Sequence, residues 1–437
     1  MSAAGKLCEI SFSVDLQFLS FVRMAEIAKA MRIFYIHQYF RTPEEGGAVR
    51  SYHLAKGLAD AGIQVEVITG ANVKSYDQRW IDGVKVHYLP VSYDQKFGFV
   101  KRVWAFLEFV RKAKNLIPKL GRADLLYVTS TPLTTGLIGL WAKKKLAIPY
   151  IFEVRDIWPE APIQVGAIKN PWLIRALKSL EKNIYEQALS LVALSPGIAE
   201  HLRNVSSKNR IQIIPNFSDL ERFFPQKKSE NRLERWNLKS KLTIAYTGAL
   251  GQVNGVEEML DLAEMARQQD KKWQFLIMGE GSHRQRLIES AQAKKLKNVH
   301  FVPFGPKEKV NELLALADFA WISFAHLPVL KTNSPNKFFD ALAAGKGIIV
   351  NHKGWVYQLV KQHNLGMSCL PGKMSKCFEE LEKLEDQPLL LQKMQANSRQ
   401  LAERYFTKER AIKKLLSVID PDKNPPMQED EVYILTA

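Results

Sequence analysis

From Arg32 onward, apolar stretches of strand length alternate with longer stretches of helical character, and this alternation restricts the chain to few architectures. Strands separated by helix-length segments do not close as hairpins; they pair in parallel through crossover helices. The expected strands of a first series are Ile33 to Tyr39, Val65 to Thr69, Val84 to Leu89, Leu125 to Thr129, Tyr150 to Val154, Leu191 to Leu194 and Ile211 to Ile214. A second series comprises Leu242 to Thr247, Gln274 to Met278, His300 to Pro303, Phe319 to Ser323 and Gly347 to Val350. One core stops growing at about 250 to 300 residues, and the chain has 437. The pattern predicts an α/β protein of two doubly wound, Rossmann-like domains.

Between the two series, Pro215 to Pro225 is turn-rich and the chain is then charged through Ser240, which places the linker there. The expected divisions are 31–222 and 223–406, a last helix over 407–420 crossing back to the first domain, and a loose, Pro-rich acidic tail over 421–437. Residues 1–30 carry Asp15 and Glu26 and lack a basic start before an apolar core, so they do not read as a signal peptide. Met31 is expected to be the natural start, with an amphipathic helix as the other reading of what precedes it. In open α/β sheets ligands bind beyond the carboxyl ends of the strands, so the expected site is a cleft between the two domains.

A net charge of +17 calls for an anionic partner, whether nucleotide, nucleic acid or membrane surface. No signature of an RNA-binding module is present, which argues against nucleic acid. No apolar run reaches the roughly 18 residues that a membrane span needs. Three cysteines without CxxC pairing suggest a reducing compartment. The nine histidines show no metal-ligand spacing, so no metal site is expected.

The stretch Ser334-Pro335-Asn336-Lys337 through Gly345 predicts a short helix with Ser334 as N-cap, Pro335 at the first helical position and Gly345 just past the end. Its unpaired N–H groups form an anion site, Lys337 adds a full charge, and Asp340 lies one turn on. A phosphate attached to a group bearing hydroxyls, such as a nucleotide ribose, suits that set. Gly46 and Gly47, followed by Arg50, lie at the first strand-to-helix turn, where backbone can approach a diphosphate. Gly248 and Ala249, and then Gly279-Glu280-Gly281, repeat the strand-and-glycine turn in the second series.

Glu153, Arg155, Asp156 and Glu160 cluster around Trp158-Pro159 at the end of another strand. Asp156 can be a base, a hydroxyl acceptor or the ion-pair partner of Arg155. His37 ends the first strand on the same side. Residues 96–119 hold seven basic residues against the single acid Glu108. Phe99, Val103, Phe106 and Val110 recur there at helical spacing, and Val100, Trp104 and Leu107 widen the stripe. Such a helix either packs into a core with a solvated basic face or lies in an anionic membrane interface.

Taken in order, the Gly46-Gly47 turn with Arg50, Arg155 to Glu160, Ser195-Pro196-Gly197, Ile214-Pro215-Asn216 with Asp219, Gly279-Glu280-Gly281 and Ser334 to Gly345 resemble the GT-B glycosyltransferases of family 4. The likeness runs from Met31 to about Ile419 and is nearest the WbuB-type branch that builds O-antigen and capsule sugars. It implies two Rossmann-like domains facing across a cleft, and transfer from a nucleotide-sugar, UDP-linked by preference, with retained anomeric configuration and no required metal or other cofactor. The acceptor it implies is a lipid-linked or growing saccharide at the inner face of the bacterial cytoplasmic membrane.

By position, Lys337 and the amides around Ser334 to Asn336 are implied to hold the diphosphate and Asp340 the ribose hydroxyls, with Gly248, Ala249 and Glu280 alongside. Gly46, Gly47 and Asp156 face the sugar and the acceptor hydroxyl. Arg155 joins Asp156 and Lys337 in the catalytic set, with His37, Arg50, Glu153 and Glu160 on the acceptor side. The sequence departs from the family at Thr332, where many members carry a Glu, at Asp340, one methylene shorter than the usual Glu, and at Ala249 and Asn254 in place of Arg and Lys. Two other readings remain: a UDP-N-acetylhexosamine 2-epimerase of the same fold, and a non-catalytic homologue.

Overall fold

The computed structural model describes residues 30–434, apart from residues 48, 95–96, 207–209, 237, 239–241 and 429. The readings for residues 1–29 and for Lys96 therefore lie outside the described residues.

Strands β1 (Arg32–Ile36), β2 (Gln64–Ala71), β3 (Asp77–Ile81), β4 (Val84–Pro90), β5 (Leu125–Thr129), β6 (Tyr150–Val154), β7 (Ser190–Ala193) and β8 (Arg210–Ile213) form the first sheet. Their order is β3-β4-β2-β1-β5-β6-β7-β8. A second sheet contains β9 (Thr243–Thr247), β10 (Gln274–Met278), β11 (Val299–Val302), β12 (Phe319–Ile322), β13 (Gly347–Val350) and β14 (Gly366–Ser368), in the order β11-β10-β9-β12-β13-β14. Every pairing is parallel except β3 with β4. The two doubly wound halves make the GT-B fold. Helices cover both faces, so central strands such as β5 and β6 are buried at every position and read as continuous apolar runs.

Two strands escape a reading by apolar runs. The edge strand β3 is largely exposed, and a two-residue Asp82-Gly83 turn with positive φ at both positions joins it to β4. An Asp-Gly pair is a strong hairpin signal, and here it outweighs the missing apolar pattern. The other, β14, is only three residues long.

The linker and the return crossing run side by side. The Ser218 N–H donates to Phe406 O at 2.7 Å, and Ser218 bridges to Thr407. Thr407 Oγ1 then accepts from Arg410 N at 3.1 Å and caps the helix Lys408–Ile419. That helix lays Ala411, Leu415 and Ile419 against Leu54 and Leu58 of the helix Arg50–Asp60, in one core with β1, β2 and β4. Close approach needs Gly57, since a Cβ there would lie 2.4 Å from Ile412 Cδ1.

The acidic tail is not loose as expected: it folds back as far as the helix Glu431–Ile434, with Val432 1% and Tyr433 2% exposed. Lys414 is the physical reason. Its buried ammonium needs a counter-charge, and Asp430 supplies one at 2.7 Å, with the Tyr433 ring centroid 4.3 Å away.

Leu415→Ala should destabilise the protein by about 2–5 kcal/mol, the usual result of emptying a well-packed leucine site. The exposed Lys413→Ala should leave the urea midpoint unchanged, and equal midpoints for the two variants would show that the returning helix contributes little to the first domain.

Candidate active site

The helix Asn336–Ala343 lies at the carboxyl-end side of the second sheet, and Gly345 at φ 59° closes it in the left-handed region. It begins one residue later than expected. Pro335 is extended and occupies the cap position, with no side-chain cap bond. Ser334 is drawn off by the linker: its Oγ accepts from Asn216 N at 3.2 Å, and its carbonyl accepts from Asn216 Nδ2 at 2.6 Å.

Lys337 points beneath the turn that follows β9. Its ammonium donates to Tyr246 OH at 2.7 Å and stands 4.0 Å from that ring centroid and 5.6 Å from that of Phe324. The Tyr246 hydroxyl in turn donates to Ala249 O at 2.5 Å. Gly248 leaves room for the lysine, because a Cβ there would meet Lys337 Cε at 3.2 Å. Among the described residues no carboxylate pairs with Lys337, and burial pushes its pKa down to about 7. Gly248, Ala249 and Lys337 therefore converge. Glu280 takes another course: its carbonyl accepts from Leu250 N at 2.9 Å, while its exposed side chain reaches Arg284 at 3.5 Å.

Asp340 and Asn336, from the same helix, line a cleft with Gly47, Asp219, Arg222 and Lys307. Asp340 Oδ2 accepts from Lys307 Nζ at 2.6 Å. Gly46 and Gly47 have φ of 68° and 83°, which side-chain-bearing residues seldom adopt. They lie across from the donor-side helix. Lys307, Tyr246 and Arg222 were missed in the sequence. Lys307 had a signal in its place at a helix start after β11, whereas Tyr246 reads as an ordinary strand residue.

On the first domain, His37 Nε2 is 3.0 Å from Arg155 Nη1. The guanidinium can only donate, so His37 accepts at Nε2 and carries its proton on Nδ1. That nitrogen is buried without a partner among the described residues. Burial, aided by Arg155, holds the imidazole neutral by pushing its pKa well down. Asp156 Oδ2 accepts from Thr131 Oγ1 at 3.3 Å, and burial raises its pKa against the pull of Arg155. These side chains can recognise a hydroxyl by donating to it at one atom and accepting from it at another.

Arg50 and Glu153 are instead committed to one another. Glu153 accepts from Arg50 at 3.1 and 2.8 Å, from Tyr127 OH at 2.8 Å and from Thr129 Oγ1 at 3.1 Å. Glu160 is held by Gln164 at 2.9 Å and lies 3.5 Å from Lys178. Thr332 lies in a short helical turn, Pro328–Thr332, that packs on the first domain. Ser195 Oγ donates to the Thr332 carbonyl, Val329 N donates to Gln164 Oε1 at 2.9 Å, and a Cβ at Gly197 would come within 2.9 Å of Thr332 Cγ2.

Two Rossmann-like sheets thus face each other across the cleft, and family models match the chain half by half. Residues 45–216 match the glycosyl transferase 4-like domain and residues 228–401 match glycosyl transferases group 1. The chain belongs to the GT-B glycosyltransferase superfamily.

Among curated relatives, the putative colanic acid biosynthesis glycosyl transferase WcaI of Escherichia coli K12 is 28% identical over 50% of this chain and 53% of its own length. The chain thus spans about half of that relative. The probable glycosyltransferase WbjE of Pseudomonas aeruginosa is 22% identical over 66% of this chain and 72% of its own. Sucrose-phosphate synthase from Thermosynechococcus elongatus superposes with a TM-score of 0.73 at 18% identity, covering 89% of this chain and 98% of that one. WaaG, a glycosyltransferase involved in lipopolysaccharide biosynthesis, gives 0.65 at 16%, covering 89% and 100%. Anabaena HepE, solved with UDP and glucose, gives 0.61 at 16%, covering 89% and 99%. At these identities the structures establish the fold.

The folded-state pKa of Lys337 lies below its usual 10.5, so the unfolded chain binds more protons between about pH 7 and 10.5. The cost of burying the charge is full below pH 7 and is relieved as pH rises through that window. Lys337→Met should therefore raise the melting temperature, by more at pH 6 than at pH 9.5. A gain that is absent or independent of pH would contradict an uncompensated ammonium.

Proposed function

We propose that the protein transfers a sugar with retained configuration from a nucleoside diphosphate donor, UDP-linked by preference, to a lipid-linked or growing saccharide in cell-surface polysaccharide synthesis. The observation that carries this reading is Lys337, a cation without a carboxylate partner among the described residues, set beside a helix start and beneath a glycine turn. A leaving diphosphate supplies the missing counter-charge. Negative charge grows on its oxygens as the glycosidic bond breaks, and a preorganised ammonium with helix N–H groups stabilises it more in that transition state than in the ground state. This charge comes from the chain itself, so the scheme calls for no metal.

Positive charge grows on the sugar as an oxocarbenium-like species. Asp156 and the Nδ1–H of His37 then hold the acceptor hydroxyl from the opposite domain, with Arg155 orienting His37. Retention and the WbuB-type role in O-antigen or capsule synthesis rest on the family resemblance. Anabaena HepE bound to UDP-glucose supports the choice of UDP, and WcaI and WaaG support a polysaccharide setting. Hexosyl and N-acetylhexosaminyl transfer both fit.

The acceptor's lipid fits the helix Phe99–Leu120. Its apolar stripe divides in two. Phe106, Phe109, Val110, Ala113 and Ile117 pack inward, whereas Val100 and Trp104 are 79% and 72% exposed beside exposed Lys101 and Arg111. An exposed tryptophan flanked by cations suits an anionic bilayer surface. No helix of the described residues is long and apolar enough to cross a membrane.

In a calorimetric panel of UDP- and GDP-sugars, wild type should bind at least one donor and Lys337→Ala should lose at least tenfold in affinity, about 1.4 kcal/mol. A wild-type protein that binds none would overturn the enzyme reading. Incubation with donor alone should leave the sugar unepimerised. Trp104→Ser combined with Lys101→Gln and Arg111→Gln should lose binding to vesicles containing phosphatidylglycerol while its melting temperature holds; unchanged vesicle binding would remove the membrane contact.

A further inference from the structure

Lys307 opens the helix Lys307–Leu316 after β11 and extends to the floor of the interdomain cleft. Its ammonium lies 2.6 Å from Asp340 Oδ2 and 5.1 Å from the Phe223 ring centroid. The two side chains are 14% and 11% exposed. Asp340 Oδ1 receives no hydrogen bond among the described residues and is left as an acceptor.

Lys307 is the close partner of that carboxylate. Of the other charged groups around Asp340, Asp219 opposes its ionisation and Arg222 favours it more weakly than Lys307 does. Burial also opposes ionisation, so a carboxyl left without its lysine would tend to take up a proton. It would then lose an acceptor and gain a donor. An ionised carboxylate beside an ammonium offers acceptor and donor side by side, which matches two neighbouring hydroxyls: one donates to Oδ1, and the oxygen of the other accepts from Nζ.

Resting on the donor-site reading above, we infer that Lys307 is a positioning residue for nucleotide recognition: it fixes Asp340 as an ionised acceptor for the ribose diol, so the cleft selects ribonucleoside over 2′-deoxyribonucleoside diphosphates. Lys307 acts through Asp340 and takes no part in sugar transfer.

The test is calorimetric binding of UDP, 2′-deoxy-UDP, GDP and 2′-deoxy-GDP at pH 6 and pH 8 to wild type, Lys307→Met and Lys307→Arg. Wild type should favour the ribonucleotide of at least one pair by roughly tenfold at both pH values, the worth of one hydrogen bond to a charged group. Lys307→Met should lose that preference at pH 6 and recover part of it at pH 8, as the unpaired carboxyl deprotonates. Lys307→Arg should retain it throughout. If the methionine variant does not fold, Lys307→Gln serves the same comparison.

A folded Lys307→Met protein with the wild-type preference at both pH values would overturn the inference while leaving the donor site intact. Equal wild-type affinity for ribo- and deoxyribonucleotides would do the same. A wild-type protein that binds no nucleotide would remove the donor-site reading and this inference with it.

Discussion

The cleft depends on a buried ion pair whose arginine lies in its wall. Arg50 and Glu153 are both almost wholly removed from water, and a charge in that position is tolerable only when its hydrogen-bonding capacity is filled. Glu153 is satisfied by Arg50, Tyr127 and Thr129, and two further donors of Arg50 go to the carbonyls of Ile214 and Pro215, where the chain leaves the first domain. Asn216, the next residue, holds Ser334 by two hydrogen bonds. A continuous set of contacts thus runs from β6 of one sheet to the start of the donor-side helix of the other. The polar pair sets where the two walls stand relative to each other.

Several buried polar atoms lack a partner among the described residues, Tyr35 OH and Asn216 Oδ1 among them, but two groups stand where the proposed chemistry would occur. Among the described residues, Lys337 has aromatic rings and a hydroxyl for company but no carboxylate, and His37 buries an unpartnered Nδ1 on the opposite wall. Folding alone gives neither group a reason to stay in this state, since each costs stability when no ligand is present. Lys307 and Lys414 show the ordinary solution, each with a carboxylate within 2.7 Å. The contrast marks Lys337 as a cation without that solution among the described residues.

How much of this could be read from the sequence follows from the range of each interaction. Central parallel strands are buried on both faces, so their apolar runs show directly, and the two-domain α/β plan follows from them. The edge strand β3 lacks that burial, and its Asp82-Gly83 turn was the only local sign of it. Lys337 stood out because its signal is local, in a short Pro-led helix ending in glycine. The linker's claim on Ser334, the mutual commitment of Arg50 and Glu153, and the pairing of Lys307 with Asp340 join residues separated by 118, 103 and 33 positions. No short-range pattern encodes such partners. The packing of the acidic tail is hidden from local patterns for the same reason, because its anchor is a lysine buried on another helix.

The paired crossings at Ser218 and Phe406 have a mechanical consequence. Two domains joined by a single strand of chain can swivel about any axis through it. Here two strands span the gap and are fastened to each other by a main-chain hydrogen bond and a β-bridge, so twisting one domain about the length of the connection would shear that bond. Swinging about the line through both crossings leaves it intact. The geometry of the joint therefore resists twist more than swing, as a door hinge does and a ball-and-socket does not.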